Sequence, residues 1–289
     1  MQRWRIGAVT IARVIELEGP VPGPFLLADA TPERLARHAS WLRPRFLNAA
    51  GRIIATTQAF LVESGGRRIV VDTCVGNDKP RPNPFWNQLH LPFLESLAEA
   101  GFARERVDLV LCTHLHVDHV GWNTMLVGSG WVPTFPNARY VFGRREWDYW
   151  RTADYARDGD VHADSVRPIL DAGLADLVGP DHRLTDEVWL EPTPGHTPGH
   201  TSVRISSRGE DAVITGDVMH HPVQCAEPDW ASNFDVDPEA ARQTRKAFLA
   251  RYADGPVLVF GTHFATPGAG RIVRHDGVWR FVPHGGHPC

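Results

Sequence analysis

The chain contains few cysteines, and no two of them are close in sequence. Its 289 residues include only Cys74, Cys112, Cys225 and Cys289, and none belongs to a Cys-x-x-Cys pair. A cysteine zinc site or a dithiol redox motif is therefore not expected. Nothing in this cysteine usage requires an oxidising compartment.

The sequence also lacks a cationic patch and a long apolar segment. Lys and Arg total 30 against 34 Asp and Glu, and the net charge is −4. This balance gives no general attraction to phosphate backbones, so no nucleic-acid partner is expected. No 18-residue apolar window is present, and the apolar stretch after Arg5 is too short for a secretory signal. We therefore expect no membrane partner and a cytoplasmic location.

Apolar periodicity predicts strands alternating with helices. The expected strands cover residues 4–16, 52–63, 67–73, 107–113, 186–190, 200–206, 211–216 and 256–260. The expected helices cover residues 31–41, 90–100, 163–173 and 237–253, and a final hairpin over 271–282 turns at Asp276-Gly277. Residues 19–24 are expected to form a loop. This pattern predicts the α+β class, with two packed β-sheets flanked by helices in one domain over residues 1–289.

Histidine is abundant, with 15 residues, and its placement is informative. The sequence THLHVDHVG, residues 113–121, directly follows the apolar strand 107–113. His114 and His116 point to the same side of an extended chain, and Asp118 and His119 follow where the chain must turn. Imidazole and carboxylate groups are ligands for zinc and neighbouring first-row metals. The segment therefore predicts a metal site at the end of this strand.

Three later segments repeat the arrangement of an apolar strand followed by a small residue and a possible ligand. They are TPGHTPGH at residues 193–200, Thr215-Gly216-Asp217 and Gly261-Thr262-His263. In the first, His196 and His200 cannot both be assumed to be ligands. Strand ends that converge on one rim would form a rigid metal pocket.

Together these motifs resemble those of the metallo-β-lactamase superfamily. His196 comes 77 residues after His119, Asp217 follows after 21 more, and His263 after another 46. Asp72 resembles the aspartate that supports the ligands from an early strand end. The resemblance covers roughly residues 52–265. It implies an αββα sandwich of two mixed sheets, with a loop insertion at about residues 122–185 forming part of the pocket.

The resemblance also implies a ligand set for two metal ions. It assigns His114, His116 and His196 to one ion, Asp118, His119 and His263 to the other, and Asp217 as the bridge. We expect two Zn²⁺ per chain, with Fe, Mn or Co as alternatives. A hydroxide shared by two metals could attack a carbonyl group, and Asp118 would orient it and accept its proton. His200 resembles no ligand and is expected to have a structural role.

Variations within the motifs narrow the subfamily. Asp217 stands where the B1 β-lactamases have a cysteine ligand, and His116 stands where the flavodiiron proteins have Glu. The absence of a basic patch argues against the nucleases of the superfamily. Lactonases, organophosphate hydrolases, glyoxalase II-like thioesterases and iron-dependent persulfide dioxygenases remain.

His220 is a further candidate catalytic residue, three positions after Asp217. The acyl-homoserine lactonases have Tyr there, whereas His is similar to methyl parathion hydrolase and its relatives. His220 would donate a hydrogen bond to the substrate oxygen or protonate the leaving group. The alternative is a residue that only packs beside the metals.

Aromatic residues crowd the loops that should border the site. They are Phe46, Phe85, Trp86, Trp131, Phe135, Trp147, Tyr149 and Trp150. Taken together they favour a neutral, apolar or aromatic small-molecule substrate. Taken singly, each is better explained as core.

These observations predict a dinuclear-zinc hydrolase that opens a carboxylic ester or lactone, with phosphotriesters as side substrates. A glyoxalase II-like thioesterase and a mononuclear-iron oxidoreductase of the persulfide dioxygenase type are the alternatives. A homodimer is compatible with the sequence.

Overall fold

The computed structural model describes residues 2–153 and 158–284. The chain divides into two compact units, each built from two separate stretches of sequence. The first unit comprises residues up to Glu16 together with Thr57–Trp189, and the second comprises Leu17–Thr56 together with residues from Leu190 onward. This division leaves the single domain over 1–289 as a prediction. Cys289 lies outside the described residues.

Nine of the described strands precede residue 180 and form two sheets. They are β1 (Arg3–Ile6), β2 (Val9–Val21), β3 (Ile53–Ser64), β4 (Arg67–Val71), β5 (Leu109–Cys112), β6 (Thr124–Val127), β7 (Gly130–Pro133), β8 (Arg139–Gly143) and β9 (Ala175–Val178). The seven-stranded sheet has the order β1-β2-β3-β4-β5-β8-β9, and β6 pairs only with β7. Strands β4, β5, β8 and β9 run parallel, whereas β1–β2 and β3–β4 are antiparallel. The sheet is therefore mixed.

Six further strands form a second mixed sheet, in sequence order. They are β10 (Val188–Pro192), β11 (Thr201–Ser207), β12 (Glu210–Ile214), β13 (Leu258–Phe260), β14 (Ala269–His275) and β15 (Val278–Pro283). Only β12 and β13 are parallel among the neighbours whose direction is resolved. The β14–β15 hairpin turns at Asp276 and Gly277, both at positive φ, which confirms the predicted Asp-Gly turn.

The described helices are mostly short. They are α1 (Gly23–Leu26), α2 (Pro32–Ala36), α3 (Ala39–Leu42), α4 (Phe93–Glu99), α5 (Val117–Val120), α6 (Arg144–Trp150), α7 (Arg167–Asp171), α8 (Val223–Ala226) and α9 (Pro238–Tyr252). A π-helical turn, His162–Val166, precedes α7. In the described residues, no helix combines the length and the apolar character that crossing a membrane requires.

Helix α9 forms where the sequence predicts it. Asp237 caps its first turn by accepting a hydrogen bond from the Ala240 N–H at 3.0 Å, and Pro238 occupies the first helical position. Its buried residues recur at helical spacing and are Ala241, Arg245, Phe248, Leu249 and Tyr252. One of them is an arginine, which periodicity alone does not predict in an apolar face.

Three local predictions are wrong. The strand expected over 4–16 is two strands, because Gly7 at φ +58° lets the chain reverse between β1 and β2. The loop expected over 19–24 begins late, since β2 continues to Val21. The helix expected over 31–41 is interrupted between α2 and α3. The α+β class with mixed sheets is confirmed.

Parallel strand pairs determine where the predicted ligands fall. The carboxyl ends of parallel strands meet at one edge of a sheet, so segments that follow β4 and β5 are neighbours in the first unit. The same holds in the second unit for the segments that follow β12 and β13. Each unit thus gathers candidate ligands at one sheet edge.

Candidate metal centre

In the first unit, the candidate ligands follow β5: His114 and His116 lie in the turn before α5, and Asp118 and His119 lie in α5. All four residues of β5 are buried. His114 Nε2 lies 3.0 Å from His116 Nδ1, and the rings of His114 and His119 are centred 4.0 Å apart. His119 Nε2 lies 3.6 Å from Asp118 Oδ1. The motif therefore brings together all four of its predicted ligands.

Asp72 supports this group from the end of β4. Its Oδ2 accepts a hydrogen bond from His119 Nδ1 at 2.9 Å, and its Oδ1 accepts from the Thr113 main-chain N–H at 2.8 Å. The Thr113 hydroxyl contacts both Asp72 and His114 Nδ1, the latter at 3.1 Å. Asp72 adopts φ 59°, which aspartate tolerates better than most residues. It occupies the supporting position that the resemblance implied.

A buried carboxylate, Glu16, holds the backbone on the other side of the motif. It accepts hydrogen bonds from the N–H groups of Val75 at 2.8 Å and Gly76 at 3.0 Å, and from Trp122 Nε1 at 2.7 Å. Burial raises the pKa of Glu16 to about 7, against the effect of those three hydrogen bonds. Sequence reasoning did not assign Glu16 a role, although a carboxylate inside an apolar strand was the available signal.

In the second unit, Asp217 lies between two histidines. Its Oδ2 is 3.3 Å from His196 Nε2, and His263 Nε2 lies 3.1 Å from Oδ1 and 3.2 Å from Oδ2. The three residues are at most 7% exposed. His196 comes from the loop before β11, Asp217 from the turn after β12 and His263 from the turn after β13. The segments that the sequence singled out therefore converge on Asp217.

The second ring nitrogen of each of these histidines is held by the protein. His196 Nδ1 donates to Asp235 Oδ1 at 2.8 Å, and His263 Nδ1 donates to the Thr56 carbonyl at 2.8 Å. Such contacts fix the tautomer that presents Nε2 as a metal ligand. The sequence analysis missed Asp235, which no motif marks.

His200 supports the Asp217 turn. Its Nε2 accepts a hydrogen bond from the Asp217 main-chain N–H at 2.7 Å, and its Nδ1 donates to the Thr193 carbonyl at 3.0 Å. Gly216 has φ +55°, and a Cβ there would lie 2.5 Å from His200 Nε2. Only glycine fits this turn, and His200 has the structural position expected of it.

His220 lies beside the same aspartate. Its Nε2 is 3.2 Å from Asp217 Oδ2, and its ring is parallel to that of His263 with centres 5.5 Å apart. Its Nδ1 makes no hydrogen bond to any residue that the structure describes. Burial lowers the pKa of His220 below its usual value, although Asp217 opposes this effect. His220 is therefore a buried, neutral imidazole that faces the candidate ligands of this unit.

The donor groups suit divalent metal ions. Within each unit, neighbouring donor atoms such as His114 Nε2 and His116 Nδ1 are 3.0 to 3.6 Å apart. Two ligands that bind one tetrahedral ion at about 2.0–2.1 Å are separated by roughly 3.3 Å, so the spacing fits. Burial lowers the pKa of His196, but Asp217 and Asp235 outweigh it and raise that pKa to about 9. The two carboxylates that stabilise a proton on His196 would also stabilise a metal cation that replaces it. All seven predicted ligands are among the side chains that could hold a metal ion.

The aromatic residues proposed for a pocket wall have several different positions. Phe135 and Trp150 belong to the core of the first unit, and Phe46 to that of the second, so the core alternative is right for these three. Trp150 also packs against His116, with ring centres 5.2 Å apart. Phe85 is 82% exposed. Trp150 is therefore both a core residue and a neighbour of a predicted ligand.

Comparison with known proteins gives one family and several related folds. Residues 55–263 match the family described as the metallo-beta-lactamase superfamily. The N-acyl homoserine lactonase AttM of Azorhizobium caulinodans is 34% identical over 113 residues, which are 36% of this chain and 38% of the relative. The match thus spans about two fifths of the relative's length.

Two solved structures resemble the whole chain. AidC, a dizinc quorum-quenching lactonase in complex with a product, N-hexnoyl-L-homoserine, has a TM-score of 0.80 at 20% identity and covers 98% of this chain and 96% of its own. The hydrolase AbOPH of the β-lactamase superfamily has a TM-score of 0.78 at 25% identity. The match covers 97% of this chain and 96% of AbOPH. The likeness to AidC is a likeness of fold.

Proposed function

Because this chain belongs to the metallo-β-lactamase superfamily, we propose that it is a metal-dependent hydrolase that opens lactones. It has the α+β fold of that superfamily, with mixed sheets and helices, as the sequence predicted. The proposal rests on the geometry of Asp217, whose carboxylate lies between two histidines. Its Oδ2 is 3.3 Å from His196 Nε2, and His263 Nε2 is 3.1 Å from Oδ1 and 3.2 Å from Oδ2. A carboxylate placed in this way can bridge two ions.

We assign the two-ion ligand set to the seven residues singled out by the sequence. They are His114, His116, Asp118, His119, His196, Asp217 and His263. The family membership and the fixed second nitrogens of the histidines support this set. A pair of bound divalent ions, which we expect to be zinc, would activate water and polarise the substrate carbonyl.

Asp118 and His220 are the proposed catalytic residues. Asp118 stands in the ligand motif beside His119 and would orient the attacking water and accept its proton. The backbone of His220 is held by its main-chain N–H, which donates to Gln224 Oε1 at 2.7 Å, and its ring stacks on that of His263. A neutral imidazole can donate one N–H, and we assign it to hydrogen bonding with the substrate oxygen rather than to protonating the leaving group.

A lactone is the favoured substrate because the curated relatives that match are lactonases. AttM is an N-acyl homoserine lactonase, and the product bound to AidC is an acyl homoserine. N-acyl homoserine lactones are therefore the first substrates to test. His220 in place of Tyr favours including other lactones and aryl esters, with phosphotriesters as side substrates. The substrate is expected to be neutral, and the cytoplasmic location stays a prediction.

A substrate panel on zinc-loaded protein tests this function. It should contain an N-acyl homoserine lactone, a simple lactone, an aryl ester, a phosphotriester, a glutathione thioester and a β-lactam. We expect kcat/KM for the best lactone or aryl ester to exceed that for the thioester and the β-lactam by about a hundredfold, or roughly 2.7 kcal/mol. A glutathione thioester as the best substrate would contradict the proposal and favour the glyoxalase II-like alternative.

His220 is tested on the same panel. The His220→Ala variant should lower kcat more than it raises KM, because the hydrogen bond strengthens as charge develops on the substrate oxygen. An unchanged kcat would show that His220 only packs beside the ligands. One iron per chain, with oxygen consumption in place of hydrolysis, would favour the persulfide dioxygenase alternative.

A further inference from the structure

One buried arginine, Arg245, contacts the surroundings of two candidate ligands of the second unit. It lies in α9, outside every ligand motif, and its side chain is fully buried. Its Nε donates to the Val218 carbonyl at 2.8 Å, and Val218 directly follows Asp217. A guanidinium in such a position is costly to bury unless its contacts compensate.

The same guanidinium reaches His196 through Asp235. Arg245 Nη2 lies 3.6 Å from Asp235 Oδ2, and Asp235 Oδ1 accepts the hydrogen bond from His196 Nδ1 at 2.8 Å. The Ser232 main-chain N–H also donates to Asp235 Oδ2 at 2.9 Å. Asp235 is therefore oriented from one side by Arg245 and Ser232 and holds His196 on the other.

The backbone around His196 is fixed to the same segment. The Val236 N–H donates to the His196 carbonyl at 2.8 Å, and the Asp237 N–H donates to the Gly195 carbonyl at 3.0 Å. A Cβ on Gly195 would lie 2.3 Å from the Ala241 nitrogen, so the His196 loop packs directly on the first turn of α9. Both the backbone and the ring of His196 thus depend on the chain between Asp235 and α9.

Arg245 also fixes the loop that carries Asp235. Its Nη1 donates to the carbonyls of Pro228 at 2.8 Å and Trp230 at 3.0 Å. Nε and Nη1 make the three hydrogen bonds to carbonyl groups, and Nη2 faces the Asp235 carboxylate as an ion pair at 3.6 Å. This set of contacts uses all three nitrogens of the guanidinium, which a lysine cannot replace. The contacts join the Asp217 turn, the 228–235 loop and α9 through one side chain.

We propose that Arg245 is the positioning residue for the His196–Asp217 part of the metal centre, acting on His196 through Asp235 and on Asp217 through the Val218 carbonyl. The inference rests on the proposed function in one respect, which is that His196 and Asp217 bind metal. It goes beyond it by assigning metal affinity to a buried ion pair outside all of the ligand motifs. Partners that orient a ligand histidine typically change metal affinity 10- to 100-fold when removed.

The test compares zinc affinity in four variants by competition with a chromophoric chelator. The variants are Arg245→Met, Arg245→Lys, Asp235→Asn and the control Arg251→Met. Arg251 belongs to the same helix as Arg245, but its side chain is 61% exposed. We expect Arg245→Met and Asp235→Asn to weaken binding of at least one zinc ion 10- to 100-fold. Arg245→Lys should also weaken it, because an ammonium group cannot make the same set of contacts, and Arg251→Met should match the wild type.

A second measurement separates positioning from simple loss of stability. Cobalt(II)-loaded wild type and variants are compared by visible absorption, which reports the geometry of the ligands around the ion. We expect the spectrum to change in Arg245→Met and Asp235→Asn, and their combined effect on zinc affinity to be less than the product of the separate effects. Asp235→Asn is nearly isosteric and provides the test if Arg245→Met fails to fold.

The outcomes are distinct. If Arg245→Lys and Asp235→Asn bind zinc as tightly as the wild type with an unchanged cobalt spectrum, the role of Arg245 is overturned while the proposed function stands. If the wild type and Arg251→Met bind no zinc, the role of Arg245 and the proposed function are both overturned.

Discussion

Gly121 packs so closely against Val75 that a Cβ on Gly121 would lie 1.9 Å from the Val75 carbonyl oxygen. The Gly121 N–H also donates to the Cys74 carbonyl at 2.7 Å. Gly121 has φ −57°, so its need for glycine is steric and does not come from an unusual backbone angle. The contact joins the turn after β4 to the end of the ligand motif.

Replacing Gly121 should therefore destabilise the protein and displace the motif. We expect Gly121→Ala to lower the free energy of unfolding by about 1–3 kcal/mol or more, because two backbone segments must separate. Gly130→Ala is the control, since nothing lies within 4 Å of its added Cβ, and it should change stability by about 0.5 kcal/mol at most. Denaturant unfolding measures both, and equal effects would contradict the close approach at Gly121.

His221 should make stability depend on pH. It is buried, its Nε2 donates to the Phe46 carbonyl at 2.8 Å, and burial lowers its pKa to about 4 from a usual 6.5. At a pH between these two values, His221 is protonated in the unfolded chain but not in the folded protein. The free energy of unfolding therefore decreases as pH falls from 6.5 to 4.

The His221→Gln variant isolates this contribution. In the presence of chelator, the stability difference between wild type and His221→Gln should be largest above pH 6.5 and should shrink towards pH 4 by up to about 3 kcal/mol. Denaturant unfolding at several pH values provides the measurement. A difference that stays constant over this range would show that His221 does not resist protonation.

A buried charge cluster joins three segments of the first unit. Asp164, in the π-helical turn, accepts two hydrogen bonds from Arg81 at 2.6 and 2.8 Å and lies 3.4 Å from Lys79 Nζ. Burial lowers the pKa of Lys79 to about 7 despite Asp164. The Lys79 ammonium also lies 3.7 Å from the centre of the Trp131 ring. The cluster has two basic groups and one acid, so Asp164 is the group whose loss should matter most.

We expect Asp164→Asn to lower the free energy of unfolding by about 3–5 kcal/mol, because it leaves Arg81 buried without its counter-charge. The control is Asp171→Asn, which removes the ion pair between Asp171 and Arg167. These two side chains are 61% and 59% exposed, respectively. That change should stay within about 0.5 kcal/mol. Comparable losses in the two variants would contradict a dominant role for the buried cluster.

Asp118→Asn should separate catalysis from folding. The change is nearly isosteric, so circular dichroism should be unchanged, whereas kcat/KM should fall by orders of magnitude since an amide is a poorer ligand and a poor base. Asp148→Asn, on an exposed part of α6, serves as the control and should keep full activity. Full metal content with near-normal turnover in Asp118→Asn would show that the role given to Asp118 is wrong.

The sequence predicted the elements in which local signals and packing agree. Strand β5 is a continuous apolar run that becomes fully buried, and the β14–β15 hairpin follows its Asp-Gly turn. The ligand segments were predictable because each directly follows an apolar strand. Parallel pairing of β4 with β5 brings Asp72 to the ligand motif, and that of β12 with β13 brings Asp217 to His263. His196 reaches the same edge from the loop before β11, which runs antiparallel to β12.

Long-range side-chain contacts were not predictable in the same way. Asp235 is 39 residues from His196, and Arg245 lies on a helix face that periodicity identifies as core. Composition could not tell an aromatic pocket wall from a hydrophobic core, because a residue such as Phe135 suits both places equally well. The packing of the whole unit places Phe135 in the core. The burial of Glu16 is compensated because two backbone N–H groups and an indole N–H donate hydrogen bonds to its carboxylate. Those donors lie at least 59 residues away in the sequence.

Titration of metal-free protein with zinc, followed by the rate of lactone hydrolysis, tests whether the chain is a two-metal lactonase. We expect no hydrolysis without metal and a rate that rises until about two zinc ions are bound per chain, as a two-metal site requires. A rate that reaches its maximum at one zinc ion per chain, or no lactone hydrolysis at any zinc concentration, would contradict it.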